Sequence, residues 1–171
     1  METTSLSILE EMKFNQKFID CMLSEREYQE MMWNKNTTES GGYHSHMEFF
    51  VFIKDYLDEA INLLSRNPEP EASDKASHNI RKIAAMSLAS LEKNSSMEST
   101  TFLNADIILP KRLHANTIVE LAFIINSILN NAMSFHALAS GLVDSGHYHI
   151  MILKTICGTF EKLDTYPMRE V

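Results

Sequence analysis

The sequence predicts an all-α protein, a helical bundle of about five helices. Three observations carry this reading. Gly (5) and Pro (4) are scarce in 171 residues, while Met (11), Leu, Ala and Glu, which favour helix, are plentiful. Successive segments repeat apolar residues at i, i+4 and i+7, the spacing of one helix face. No Val/Ile/Thr alternation calls for a sheet, and no internal repeat is present. The length suits one well-cored domain, or one domain with an appended hairpin. The expected division is a helical core over 1–98 and a C-terminal helical hairpin over 99–171, packed on that core or on a second subunit.

The first helix is expected over about 7–33, where Phe18, Met22, Glu25, Gln29 and Met32 share a face. Two polar residues, Glu25 and Gln29, thus interrupt an apolar stripe. Residues 34–42, NKNTTESGG, read as a loop. The second helix is expected over about 46–66, with Phe50, Ile53, Leu57, Ala60 and Leu64 as its core stripe. The two prolines of NPEPEASD (67–74) break the pattern, and the third helix is expected over about 75–93. Its small residues, Ala84, Ala85, Ser87, Ala89 and Ser90, allow a neighbouring helix close approach. Residues 94–112 are irregular. The fourth and fifth helices are expected over about 115–140 and 145–163, with Gly141 as a stop between them and Ile150, Leu153, Cys157 and Phe160 facing the core.

Charge and cysteine content exclude several classes. The formal net charge of −8 argues against broad binding to nucleic acid or anionic membrane, which needs clustered Lys and Arg. Two cysteines, Cys21 and Cys157, are too few for a disulfide framework and fit a reducing, cytoplasmic compartment. The opening METTSLSILEEMKF has acids within its apolar stretch and no basic region, unlike a signal peptide. Residues 121–143 carry no charged side chain, but seven Asn, Ser and His residues in that window would be costly in lipid. A buried soluble helix is expected there.

Four acids on the second helix raise the question of metal binding. With Ile53 on the core line, Glu48, Asp55 and Asp58 fall on the far side and Glu59 near the boundary, as on a solvated face. A magnesium site would need acids of another helix to meet them. Glu25 must either pair with a basic group or line a site, because an isolated carboxylate on an apolar stripe is costly. The pairs His44/His46 and His147/His149 sit near helix starts without accompanying Cys or Glu ligands, and are expected to cap or lie exposed rather than hold a metal. On the fourth helix Glu120, Ser127, Asn130, Asn131 and Ser134 form a stripe that is uncharged after Glu120. It suggests a face hydrogen-bonded to another helix, internal or from a second subunit, or a polar-ligand site. No Gly-rich phosphate loop or nucleophile elbow occurs.

Three segments together, EREYQEMMW (25–33), EFFVFIKDYLDEA (48–60) and NIRKIAAMSLASLEKN (79–94), resemble the all-α MazG-like nucleotide pyrophosphohydrolase superfamily, and within it the short MazG-like proteins of bacteriophage genomes. The resemblance covers about residues 23–95. It implies a MazG-like core over 1–98. Active members hold Mg²⁺ with an ExxE pair on one helix and an ExxD pair on the next, and cleave a nucleoside triphosphate between its α and β phosphates. Carried onto this chain, the first pair falls on Tyr56 and Glu59 and the second on Asn79 and Lys82. Only one of the four ligands is present, and Lys82 puts a positive charge where a cation would sit. The resemblance therefore implies a non-catalytic protein without a cofactor. It would bind a nucleotide-type ligand through Glu25, Gln29, Trp33, Asp55, Glu59 and Lys82, or a protein partner, and could serve as a phage regulatory or counter-defence factor in the host cytoplasm. The alternative is an Mg²⁺-dependent pyrophosphohydrolase with its acids rearranged onto Glu25, Asp55, Asp58 and Glu59. Related bundles complete their cores across subunits, so a homo-oligomer is expected.

Overall fold

The computed structural model describes residues 4–36, 45–66, 70–94, 114–138 and 146–169. Among the described residues there are six helices and no strand: α1 (Ser5–Glu11), α2 (Gln16–Asn36), α3 (His46–Arg66), α4 (Pro70–Lys93), α5 (Ile118–Leu138) and α6 (Gly146–Leu163). The all-α class is as expected.

The expected first helix is two helices. Thr4 caps α1 in a capping box with Ser7. Its C-terminus closes without glycine or proline: Lys13 takes a left-handed φ of 58°, Lys13 N donates to Glu10 O at 3.0 Å, and Phe14 N donates to Leu9 O at 3.3 Å. This paired pattern satisfies the last carbonyls and turns the chain. Asn15 then caps α2, its Oδ1 accepting from Phe18 N at 2.9 Å.

The other starts follow the same chemistry. Ser45 caps α3 through Glu48 N, and Thr117 caps α5 through Glu120 N. Glu120 reaches back to Asn116 N at 3.1 Å, so it belongs to this cap. The third expected helix begins earlier than 75, at Pro70. Proline fits the first helical position, where its missing N–H has no partner to lose and its fixed φ suits the helix.

Helix α4 is the centre of the bundle. Residues 83–91 are buried without a break, and α1, α2, α3, α5 and α6 all pack on it. The run of small residues makes this possible: Ala84, Ala85 and Ala89, with Ser87 and Ser90, leave room for neighbours on several sides. Helix α3 runs antiparallel to α4, with His46 beside Ser90 at one end and Tyr56 beside Lys82 at the other. The C-terminal helices pack on the same core, α6 against α4 and α5 against α3 and α6. Phe18 of α2 meets Phe160 of α6 edge-on at 6.3 Å, joining the two ends of the chain in one hydrophobic cluster.

Helices α2 and α3 both lie against α4 but scarcely touch each other.

Candidate functional site

Glu25 of α2 faces α4 and is 1% exposed. Its carboxylate is paired: Arg81 Nε donates to Glu25 Oε2 at 3.0 Å. Arg81 is itself buried and its Nη1 donates to Pro167 O at 3.0 Å and to His78 Nδ1 at 2.5 Å. A guanidinium only donates, so His78 accepts at Nδ1 and carries its proton on Nε2. Of the two roles open to Glu25, the structure therefore displays structural pairing. Cys21 belongs to the same cluster, its thiol donating to Pro167 O at 3.4 Å. Burial pushes that thiol up to about 11, with Arg81 opposing and Glu25 reinforcing the rise, so it is no thiolate nucleophile at neutral pH.

Gln29 is committed as well. Its Nε2 donates to Lys82 O at 3.4 Å and its Oε1 accepts from Arg26 Nη1 at 3.2 Å. Arg26 anchors a second network, with Glu30 at 2.6 Å and Glu92 at 3.5 Å, and Lys93 lies 3.2 Å from Glu30. Ser5 donates to Glu92 and ties α1 to this network. Burial acts to raise the Glu30 carboxyl, but Arg26 and then Lys93 outweigh it and hold it below its ordinary value. The two polar residues that interrupt the α2 stripe thus fasten α2 to α4.

Two cations over tyrosine rings and one buried amide stand apart from these networks. Lys82 Nζ lies 5.5 Å from the centre of the Tyr56 ring. The Arg169 guanidinium lies 3.1 Å above the Tyr28 ring. Among the described residues neither cation has a carboxylate within salt-bridge distance. The Tyr56 phenol is pushed up by burial first, then by the negative charge of Glu25, Asp55 and Glu59 and by Tyr28. On α4, three residues before Lys82, Asn79 is 5% exposed and its Nδ2 has no partner among the described residues. A buried amide donor without an acceptor costs about 1–3 kcal/mol, so this group is an available point of attachment.

The acids of α3 behave as a wet face. Glu48, Asp55, Asp58 and Glu59 are all exposed, and Asp58 is 2.8 Å from Lys54 one turn earlier. Asp55 and Glu59 stand near Tyr56 on the exposed side of α3. The set Glu25, Asp55, Asp58 and Glu59 does not converge: Glu25 faces Arg81 inside, and Asp58 is turned to Lys54 outside. Among the described residues no three His, Cys, Asp or Glu side chains are placed to share a metal ion. The Trp33 side chain and His44 lie outside the described residues.

One expectation is corrected. Among the described members of the two histidine pairs, His149 neither caps nor lies exposed. Instead, one member of each pair meets the other: the His46 and His149 rings are 5.3 Å apart. His149 is fully buried and stacked on Phe50 at 4.1 Å, with Nδ1 3.1 Å from Ser87 Oγ and Nε2 3.1 Å from His46 O. A carbonyl only accepts, so Nε2 carries the proton and the Ser87 hydroxyl donates to Nδ1. Burial, then the neighbouring His46, pushes His149 well below its ordinary value. On α5, Ser127, Asn130, Asn131 and Ser134 are exposed, which leaves a second subunit or a polar ligand as the partners expected for this stripe. Val119 and Phe123, the latter 59% exposed, extend the same outward side, beside an open depression of about 190 Å³ lined by Ile61, Leu64, Ser65 and Ala122.

The described residues form an α-helical bundle in which Lys82 and Arg169 each lie over a tyrosine ring. Comparison with protein-family models, with curated proteins and with solved structures found no match to this chain. None of its described helices is long and apolar enough to cross a membrane.

Proposed function

We propose that the protein is a non-catalytic, MazG-like helical bundle that binds a nucleotide-type ligand beside Lys82 and Tyr56, in a groove between α2 and α3. The observation that carries this reading is the division of charge. The acid a metal site would need, Glu25, is spent on Arg81, while Lys82 stands unpaired by acid over a tyrosine ring. Tyrosine faces accept a planar base, and Lys82 and the Asn79 amide supply donors for phosphate or base oxygens. The rim is close to neutral: Asp55 and Glu59 offset Lys82 and Arg169, and Glu25 and Arg81 cancel. A nucleotide with one or two phosphates suits such a groove better than a triphosphate, whose charge calls for a divalent counter-ion.

Thermal unfolding with the four nucleoside monophosphates, and separately with the triphosphates and Mg²⁺ or Mn²⁺, tests this. A ligand at one hundred times its Kd adds about 2.7 kcal/mol, or roughly 5–11 °C in Tm for a chain of this size. Lys82→Ala is expected to lose most of that shift. Release of pyrophosphate that disappears in Glu59→Ala would overturn the reading in favour of a hydrolase.

A second surface suits a protein partner. The outward side of α5 from Val119 to Ser134 carries a single charge, Glu120, in a chain of net charge −8. Two copies repel least where both are neutral, and Asn and Ser each donate and accept, so such a face complements itself. The occupant we infer is a second copy of this chain.

A further inference from the structure

We propose that Phe123 of one copy seats its ring in the depression between α3 and α5 of a second copy, and that a twofold-related pair of such insertions anchors a dimer. The proposal rests on the reading of the outward side of α5 as a contact between copies and names the side chain that holds that contact.

The depression lies where the last turns of α3 meet the first turns of α5. Ile61, Leu64 and Ser65 form one wall, and Val119, Ala122 and Phe123 the other. Five of these six side chains are apolar and none is charged. The volume is about 190 Å³. An apolar cavity of about 150 Å³ takes up benzene, so this one has room for a phenyl group. Filling it removes apolar walls from water, which is favourable in proportion to the area covered.

The same surface carries a ring to fill it. Phe123 is 59% exposed, more than Leu6, Met31, Val51, Val119 or Met168, the other exposed large hydrophobic residues. It borders the depression yet leaves most of its own surface in water. Ring and depression thus lie side by side. A twofold axis between them brings each ring over the depression of the other copy, so one symmetric contact makes two insertions. Aromatic anchors seated in pockets dominate the energetics of interfaces. Charge favours a second copy as the occupant. Two chains of net charge −8 repel, and the repulsion is least where the facing surfaces are neutral. The depression has no charge, and the side of α5 that continues from it to Ser134 has only Glu120. A basic partner would be drawn instead to the exposed acids of α3.

The test uses the full chain. Sedimentation equilibrium compares the native protein with Phe123→Ala, which removes the ring and leaves the depression open, and with Ser65→Trp, which keeps the ring and blocks the depression. Both positions are exposed, so neither substitution opens the core. Each is expected to raise the dimer Kd by at least about 30-fold, because two insertions are lost. Mixed in equal amounts, the two variants are expected to pair with each other in preference to themselves. The intact Phe123 of the Ser65→Trp chain then meets the open depression of the Phe123→Ala chain, and one insertion is restored. A general role of the α5 face in association gives no such preference. A native dimer that either variant leaves unchanged, or a mixture without preference for the mixed pair, overturns the insertion and leaves the contact between copies standing. A native chain that stays monomeric removes both.

Discussion

Replacing Arg81 by methionine leaves the Glu25 carboxylate buried with no cation beside it. The pair is deep, with side chains only 2% and 5% exposed, and Arg81 Nη1 also serves the Pro167 carbonyl. Breaking a buried pair by removing one partner costs about 3–5 kcal/mol, because an uncompensated charge remains in a medium that solvates it poorly. For a chain of this size that is a fall of roughly 6–20 °C in Tm, a third or more of the stability of an ordinary domain. Removing both partners is different. Glu25→Leu with Arg81→Met keeps the volume apolar and leaves no charge behind, so most of the loss is recovered. The remaining deficit, about 1 kcal/mol, is the Pro167 carbonyl left with only the weak Cys21 donor. Urea unfolding followed by circular dichroism at pH 7 measures all four corners of this cycle. A single Arg81→Met costing less than about 1 kcal/mol, or a double variant no better than the single, refutes the assignment of Glu25 to a structural pair. Glu25 would then be free to serve a ligand.

The remaining predictions concern pH, a turn and a surface. His149 is buried neutral with its proton affinity depressed, so the folded state takes up fewer protons than the unfolded chain below about pH 6.5. Its contribution is intact above that pH and is lost as the pH falls, at up to about 1.4 kcal/mol per pH unit; urea midpoints between pH 7.5 and 5 should drop more steeply in the native protein than in His149→Gln. Lys13→Gly relieves a left-handed non-glycine residue and is expected to stabilise by about 1 kcal/mol, or roughly 2–4 °C, whereas a loss would show that the Lys13 conformation is not strained. Phe123→Glu puts a charge on the exposed apolar end of the α5 face and is expected to convert the native oligomer to monomer in light scattering; a native protein that is already monomeric contradicts the second-copy reading.

Much of the fold was legible because apolar spacing reports helices well. The stripe of Phe50, Ile53, Leu57 and Ala60 is fully buried in α3, and the small residues of α4 do admit neighbours on several sides. The break after α1 was not legible, since its stop uses Lys13 in a conformation usually left to glycine and its restart uses a lone Asn15 cap. At Pro70 the same residue type that ends helices begins one, and only the backbone position separates the two. In the site, Glu25 was marked as needing a partner by its place on an apolar stripe, but nothing in the sequence joined it to Arg81, 56 residues away. The burial of His149 was not legible from the pair, because His-x-His on a helix turns its two rings about 200° apart, one inward and one outward.

What an acid on a helix signifies depends on the cation it meets. Glu25 and the acids of α3 make, in sequence, a pattern from which a magnesium site could be drawn. In space they divide. Glu25 turns inward to a guanidinium that cannot leave without stranding both charges, and the rest face water, where attraction for an ion is weak. The polar groups without an acid or acceptor partner are donors: the Lys82 ammonium, the Arg169 guanidinium and the unpartnered Asn79 amide. Donors attract acceptors. In the nucleotide site we propose, a phosphate or a base carbonyl would satisfy these groups, whereas a divalent cation would find no converging set of acids among the described residues.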